Sequence, residues 1–199
     1  ERIAKAAGMC AYDVELAWLS EMLHDVGRFE QIKRYNTFSD ADSVDHAKFG
    51  ADLLFKDGLI STFLNGMVKC TGYKPGALED RYSSDGVFLY DRLNKSDMEM
   101  LELAIRCHNM YRIPQGLNSR EQAFCNVLRD ADKVDIFKVN IDTPLEEIYN
   151  TTTEELMKSN ITDEVLEAFD EEHCILKAIR RTPADTVIGH VSLAYELVY

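Results

Sequence analysis

An all-α fold, a helical core followed by a helical extension, is predicted by three observations. Apolar residues recur at helical spacing: Met98, Leu101, Ile105 and His108 follow one face, as do Phe124, Val127, Ala131 and Val134. Helix start and stop signals punctuate these stretches. The same spacing returns beyond Thr143-Pro144, in Leu145-Ile148-Leu156, Val165-Leu166-Phe169 and Val187-Ile188-Val191-Leu193.

The elements follow in chain order. Arg2 to Ala7 reads as a helix with Gly8 as its stop. A second helix, over the apolar stretch from Val14 to Leu23, runs into His24-Asp25, and Gly27 reads as its stop. The stretch from Arg28 to Asp40 is rich in bases and aromatics and reads as a long loop, a candidate substrate rim, closing with the helix-start signal Asp42-Ser43. His46 then sits on a helix running towards Leu54. Cys70 to Asn94 breaks periodicity, which predicts a loop with short helical pieces or a small hairpin. After the helices carrying His108 and Asp132, three amphipathic helices are expected, either completing the core or forming a homodimer face.

With 199 residues the chain can bury one sizeable core. One domain is expected, divided into a core over residues 1–140 and a helical extension over 141–199 packed on it. The formal charge of −13 argues against a nucleic-acid backbone as partner, since that needs clustered Lys and Arg. It does not exclude a phosphorylated small molecule, because divalent ions reverse the local sign of the charge. Five widely spaced cysteines, an odd number with no Cys-x-x-Cys, imply neither a disulfide framework nor a zinc knuckle. No apolar run is long enough to span a bilayer and no signal-like segment stands at the start, so no membrane partner is expected and the cytoplasm is the expected compartment.

The chemistry concentrates around His24-Asp25. Imidazole and carboxylate are the usual ligands of borderline divalent metals. Neighbours on a helix point about 100° apart, so both reach one ion most easily at a helix end. His46, His108 and Asp132 are further candidates. His108 lies on the inward face of its helix, and Asp132 follows Leu128 by one turn, where an unpaired carboxylate beside the core is costly and a metal removes the cost. Asp130 and Asp135 compete with Asp132 for this role, and the residues alone do not choose between them. Their structural reading is as solvated carboxylates answering Arg129, Lys133 and Lys138.

The ordered set resembles the HD superfamily of metal-dependent phosphohydrolases. Leu23-His24-Asp25-Val26-Gly27-Arg28 is similar to the family's Leu-His-Asp-Ile-Gly-Lys/Arg signature, and Ala131-Asp132-Lys133 to its final Ala-Asp-Lys/Arg. His46, followed by Gly50, and His108 are similar to the ligands added in the two-metal branches. The resemblance covers roughly residues 1–139. It implies an HD-domain helical bundle, metal ligands His24, Asp25, His46, His108 and Asp132, and catalytic roles for Asp25, Arg28 and Lys133. The family's first His precedes the His-Asp pair by a helix and a loop; none precedes His24, so this ligand is expected upstream of residue 1.

Implied with it are two divalent transition ions, drawn from Fe, Mn, Ni or Zn, with Asp25 bridging, His24 and Asp132 on the first ion, and His46 and His108 on the second. Such a pair hydrolyses a phosphoester or phosphoanhydride without a protein nucleophile. The expected substrate is a nucleotide-like phosphorylated small molecule. The Gly-Tyr-Pro signature of the cyclic-dinucleotide branch is absent after His108, where Asn109-Met110-Tyr111-Arg112-Ile113-Pro114 stands instead. Two alternatives use the same ligands: an HD-type di-iron oxygenase, and a non-catalytic HD module that senses a ligand. His173 and His190 fit no ligand position and are read as structural.

Overall fold

The computed structural model describes residues 1–70 and 93–199 and is all-α, with no strand among the described residues. Residues 71–92, the greater part of the expected loop or hairpin, lie outside them. The chain divides into two compact units, Glu1–Leu128 and Arg129–Tyr199, and the division falls within a long helix.

The first unit opens with α1 (Arg2–Ala6), ended as expected by Gly8, whose φ of +74° suits glycine. There follow α2 (Ala11–Leu23), α3 (Val26–Tyr35), α4 (His46–Ala51), α5 (Leu59–Cys70) and α6 (Lys95–Cys107). The long helix α7 (Ser119–Asp142) contributes its residues through Leu128. Leu16 and Leu19 of α2, Leu101 and Ile105 of α6, and Phe124 and Leu128 of α7 are buried together with Leu54, so the apolar period seen in the sequence is the core face through Val127; Val134, read on the same face, is exposed. Asn94 and Asp97 close a reciprocal capping box at the start of α6.

Three expectations are corrected here. Gly27 is not a stop: it lies in the first turn of α3, after α2 has ended at Leu23. Most of the expected loop from Arg28 to Asp40 is α3, which ends at Asn36 in a left-handed cap with φ 53°. Its helical pattern is hidden because the buried face carries Gly27 and Gln31, while Phe29 is 79% exposed. Asp42-Ser43 starts no α-helix either; Asp40–Asp42 is a 3-10 turn, and Asp45 caps α4 by accepting from the Lys48 amide at 3.2 Å. Beyond Ala51, α4 widens into a π turn over Asp52–Lys56.

The second unit contains the rest of α7, then α8 (Leu145–Tyr149), α9 (Thr153–Lys158), α10 (Asp163–Asp170) and α11 (Pro183–Val191). Four helices replace the three expected, because Leu145-Ile148 and Leu156 fall on separate helices broken at Asn150, which is left-handed with φ 47°. Asp130, expected to be solvated, is buried and accepts from the backbone amides of Val198 and Tyr199, both at 2.9 Å. Counting its neighbours along the helix missed a partner some seventy residues away. Asp135 is exposed, as its solvated reading required.

Asp185 organises this unit. Fully buried at the start of α11, it accepts from the backbone amides of Thr162 at 2.8 Å, Arg181 at 2.9 Å and Thr182 at 3.1 Å. Burial alone would raise its pKa, but these amides outweigh burial and hold it below the usual carboxylate value. Asp185→Ala strands several donors and is expected to cost about 3 kcal/mol, read by urea denaturation. Because the folded-state pKa is depressed, the contribution of Asp185 is complete above an unfolded-state pKa of about 3.9 and is lost as the pH falls through the folded value. A variant as stable as the wild type at pH 7 would refute this role.

No helix among the described residues is long and apolar enough to cross a membrane. Cys107, Cys125 and Cys174 are buried and Cys10 is exposed.

Candidate metal centre

His24 and Asp25 form the two-residue junction between α2 and α3. Asp25 leaves helical geometry at φ −98°, ψ 12°, so adjacent side chains turn towards one point, as a helix end permits. Next, α4 packs against both α3 and α6. Its approach to α3 is backbone on backbone. A Cβ on Gly27 would stand 2.3 Å from the His46 carbonyl and 2.8 Å from the Gly50 amide nitrogen, and a Cβ on Gly50 would stand 3.0 Å from the Gly27 nitrogen. Two glycines therefore bring His46, the first residue of α4, to the His24-Asp25 junction. His108 arrives immediately after the last residue of α6.

These side chains converge. Asp25 Oδ2 lies 3.8 Å from His24 Nε2, while Asp25 Oδ1 lies 3.2 Å from His46 Nε2 and 3.6 Å from His108 Nε2. The Nε2 atoms of His46 and His108 are 3.0 Å apart. The His24 and His108 rings meet edge to face, with centroids 4.8 Å apart. His46 and His108 are buried, and Asp25 Oδ1 is shut from solvent without receiving a hydrogen bond.

The other nitrogen of each ring fixes its proton. His24 Nδ1 is 2.7 Å from the Glu21 carbonyl, His108 Nδ1 is 2.7 Å from the Ile105 carbonyl, and His46 Nδ1 is 2.7 Å from Asp40 Oδ2. Carbonyl and carboxylate oxygens only accept, so each Nδ1 carries the hydrogen, and in the neutral ring Nε2 presents a lone pair. With all three rings neutral, three lone pairs and a carboxylate would face a common point, and either a proton between the Nε2 atoms of His46 and His108, 3.0 Å apart, or a cation would relieve their repulsion. Two ligands held about 2.1 Å from a tetrahedral ion stand about 3.4 Å apart, which the observed separations match. Ligand atoms of His24, Asp25 and His108 all lie within 4.8 Å of one another, a group able to hold a metal ion.

Burial opposes ionisation of Asp25, but the facing His108 and His46 imidazoles and the charge of His24 outweigh it and hold the carboxyl far below its ordinary value. Asp40 is likewise held down against burial by Gln31, His46 and Arg28. Asp45 is lowered to about 2, with Lys48 and Asn109 outweighing burial.

Of the residues expected at the site, His24, Asp25, His46 and His108 are brought together. Arg28 lies beside them: its Nη1 donates to the Phe38 carbonyl at 2.7 Å, Asp40 Oδ1 at 3.0 Å and Gln31 Oε1 at 3.1 Å, and its Nε is 3.7 Å from Asp25 Oδ1. Asp132 and Lys133 belong to the second unit. There Lys133 is buried, with Nζ donating to the Glu196 carbonyl at 3.2 Å, and burial lowers its pKa, reinforced by Arg129. His190 lies in the second unit against Tyr149, and its pKa is lowered to about 4 by burial, helped by Arg180 and Lys177. His173 also lies there, its Nδ1 3.0 Å from the Ala168 carbonyl.

Sequence reasoning missed Asp40, Gln31 and Asn109. Gln31 could have been found only as a polar residue on a buried helix face, and nothing in the local pattern marks Asp40 or Asn109. No protein-family model matches the chain, and neither the curated proteins nor the solved structures compared with it give a match. The class the fold and site define is therefore an all-α protein with a group of His and Asp side chains able to hold a metal.

Proposed function

We propose that this chain is a metal-dependent phosphohydrolase that cleaves a phosphoester or phosphoanhydride bond in a nucleotide-like small molecule. The observation that carries the reading is the convergence of three Nε2 atoms on the two oxygens of Asp25, each imidazole locked by a hydrogen bond at Nδ1. The resemblance of the Leu23 to Arg28 segment to the HD signature supports the phosphoryl chemistry. Divalent ions of the Fe, Mn, Ni or Zn type, when bound, polarise a phosphoryl oxygen and lower the pKa of water.

The chain's own groups do the rest. His24 faces one oxygen of Asp25, and His46 and His108 face the other; these four side chains would hold the metal. Arg28 holds Asp25 and Asp40 in register. Asp132 enters as a ligand from the sequence resemblance alone.

Metal-stripped protein reloaded with Mn, Fe, Ni or Zn is expected to take up about two ions per chain and to release phosphate from nucleoside phosphates. Excess chelator should stop turnover, His24→Ala should lose metal and activity together, and His190→Ala should keep both. Phosphate release that survives chelation or His24→Ala overturns the proposal. Silence on every phosphorylated compound, with two irons bound and dioxygen consumed, replaces it with oxygenase chemistry.

A further inference from the structure

The three imidazoles are not oriented alike. His24 and His108 donate to carbonyls one turn back on their own helices, which are neutral and local acceptors. His46 instead donates to a carboxylate, Asp40, which lies in the 3-10 turn ahead of its helix. Asp40 is itself clamped. Its Oδ1 accepts from Gln31 Nε2 at 2.9 Å and Arg28 Nη1 at 3.0 Å, and its Oδ2 also accepts from Asn109 Nδ2 at 3.3 Å. Gln31 is fully buried, and its Nε2 further contacts Ser43 Oγ at 2.8 Å and the Val44 carbonyl at 3.0 Å. A fully buried amide that ties the turn together and also holds this carboxylate fixes Asp40 in place, and a carboxylate so fixed against an imidazole can orient that ring.

We infer that Asp40 is the positioning residue of the metal centre, fixing the His46 ring and making its Nε2 the strongest donor of the three histidines. A carboxylate that accepts from Nδ1–H pushes electron density towards Nε2 and raises the basicity of the ligand, which a carbonyl does less. Arg28 and Gln31 of α3 and Asn109 after α6 hold Asp40, so both helices that pack against α4 set the angle of the His46 ring. The inference rests on the metal reading proposed above.

The test compares Asp40→Ala and the near-isosteric Asp40→Asn with wild type, and takes Asp45→Ala as control. Asp45 caps the same helix and meets Asn109 but is not the partner of His46 Nδ1. Long-range proton–nitrogen spectra of metal-free wild type are expected to show His46 protonated at Nδ1, and Asp40→Ala to show a mixture of tautomers. Titration with Mn²⁺ or Zn²⁺ should give a 10- to 100-fold weaker affinity, by about the usual cost of losing such a partner, with Asp40→Asn in between. Asp45→Ala should lower the melting temperature, weaken affinity by less than Asp40→Ala does and leave the His46 tautomer unchanged. Unchanged affinity and tautomer in Asp40→Ala overturn the inference and leave the metal reading standing. Wild-type protein that takes up no metal overturns both.

Discussion

Asp25→Asn is expected to abolish metal uptake while leaving the helical fold in place. The amide keeps the size of the carboxylate but removes the negative charge faced by three imidazoles, and it replaces one acceptor oxygen with a donor group. With charge and one ligand atom lost together, affinity should fall by more than about a hundredfold, beyond the loss typical of a supporting residue. Equilibrium dialysis with metal analysis reads the first effect, and far-ultraviolet circular dichroism the second. An Asp25→Asn protein that retains metal at wild-type stoichiometry and affinity would remove Asp25 from the centre.

Gly27→Ala should cost about 3 kcal/mol or more, with the opposite sign to the ordinary effect of that substitution. Within a helix, alanine is normally favoured over glycine by up to about 1 kcal/mol. Here the added methyl would meet the His46 carbonyl at 2.3 Å, the Gly50 nitrogen at 2.8 Å and the Gly50 Cα at 3.0 Å, all backbone atoms with no rotamer to yield. Relief requires α4 to move away from α3, at the cost typical of overpacking a tight contact. Because α4 begins at His46, the same movement displaces one of the proposed ligands, so the folded fraction should also bind metal more weakly. Urea denaturation reads the stability. A variant as stable as wild type would show that the helices separate without penalty.

The sequence disclosed helices wherever the buried face is apolar, as in α2, α6 and the first half of α7. It concealed α3, whose inward residues are Gly27 and Gln31 and whose Phe29 points to solvent, the reverse of the pattern that periodicity detects. It ran α8 and α9 together, because Asn150 breaks the helix without a glycine or proline to announce it. At the site, His24, Asp25, His46 and His108 were legible because each carries chemistry in its side chain and sits at the end of a helical pattern. The support around them was not. Asp40 reaches His46 through a turn, and Asp130 reaches Val198 and Tyr199 across the length of the second unit, contacts with no periodic trace.

Helices leave their final carbonyls without intrahelical donors. Glu21 and Ile105 contribute such carbonyls in the last turns of α2 and α6, and the rings of His24 and His108 supply the missing donors. A single bond thus finishes the helix and fixes the direction in which the ring turns its Nε2 edge. The aim of these two rings at Asp25 is a by-product of completing secondary structure.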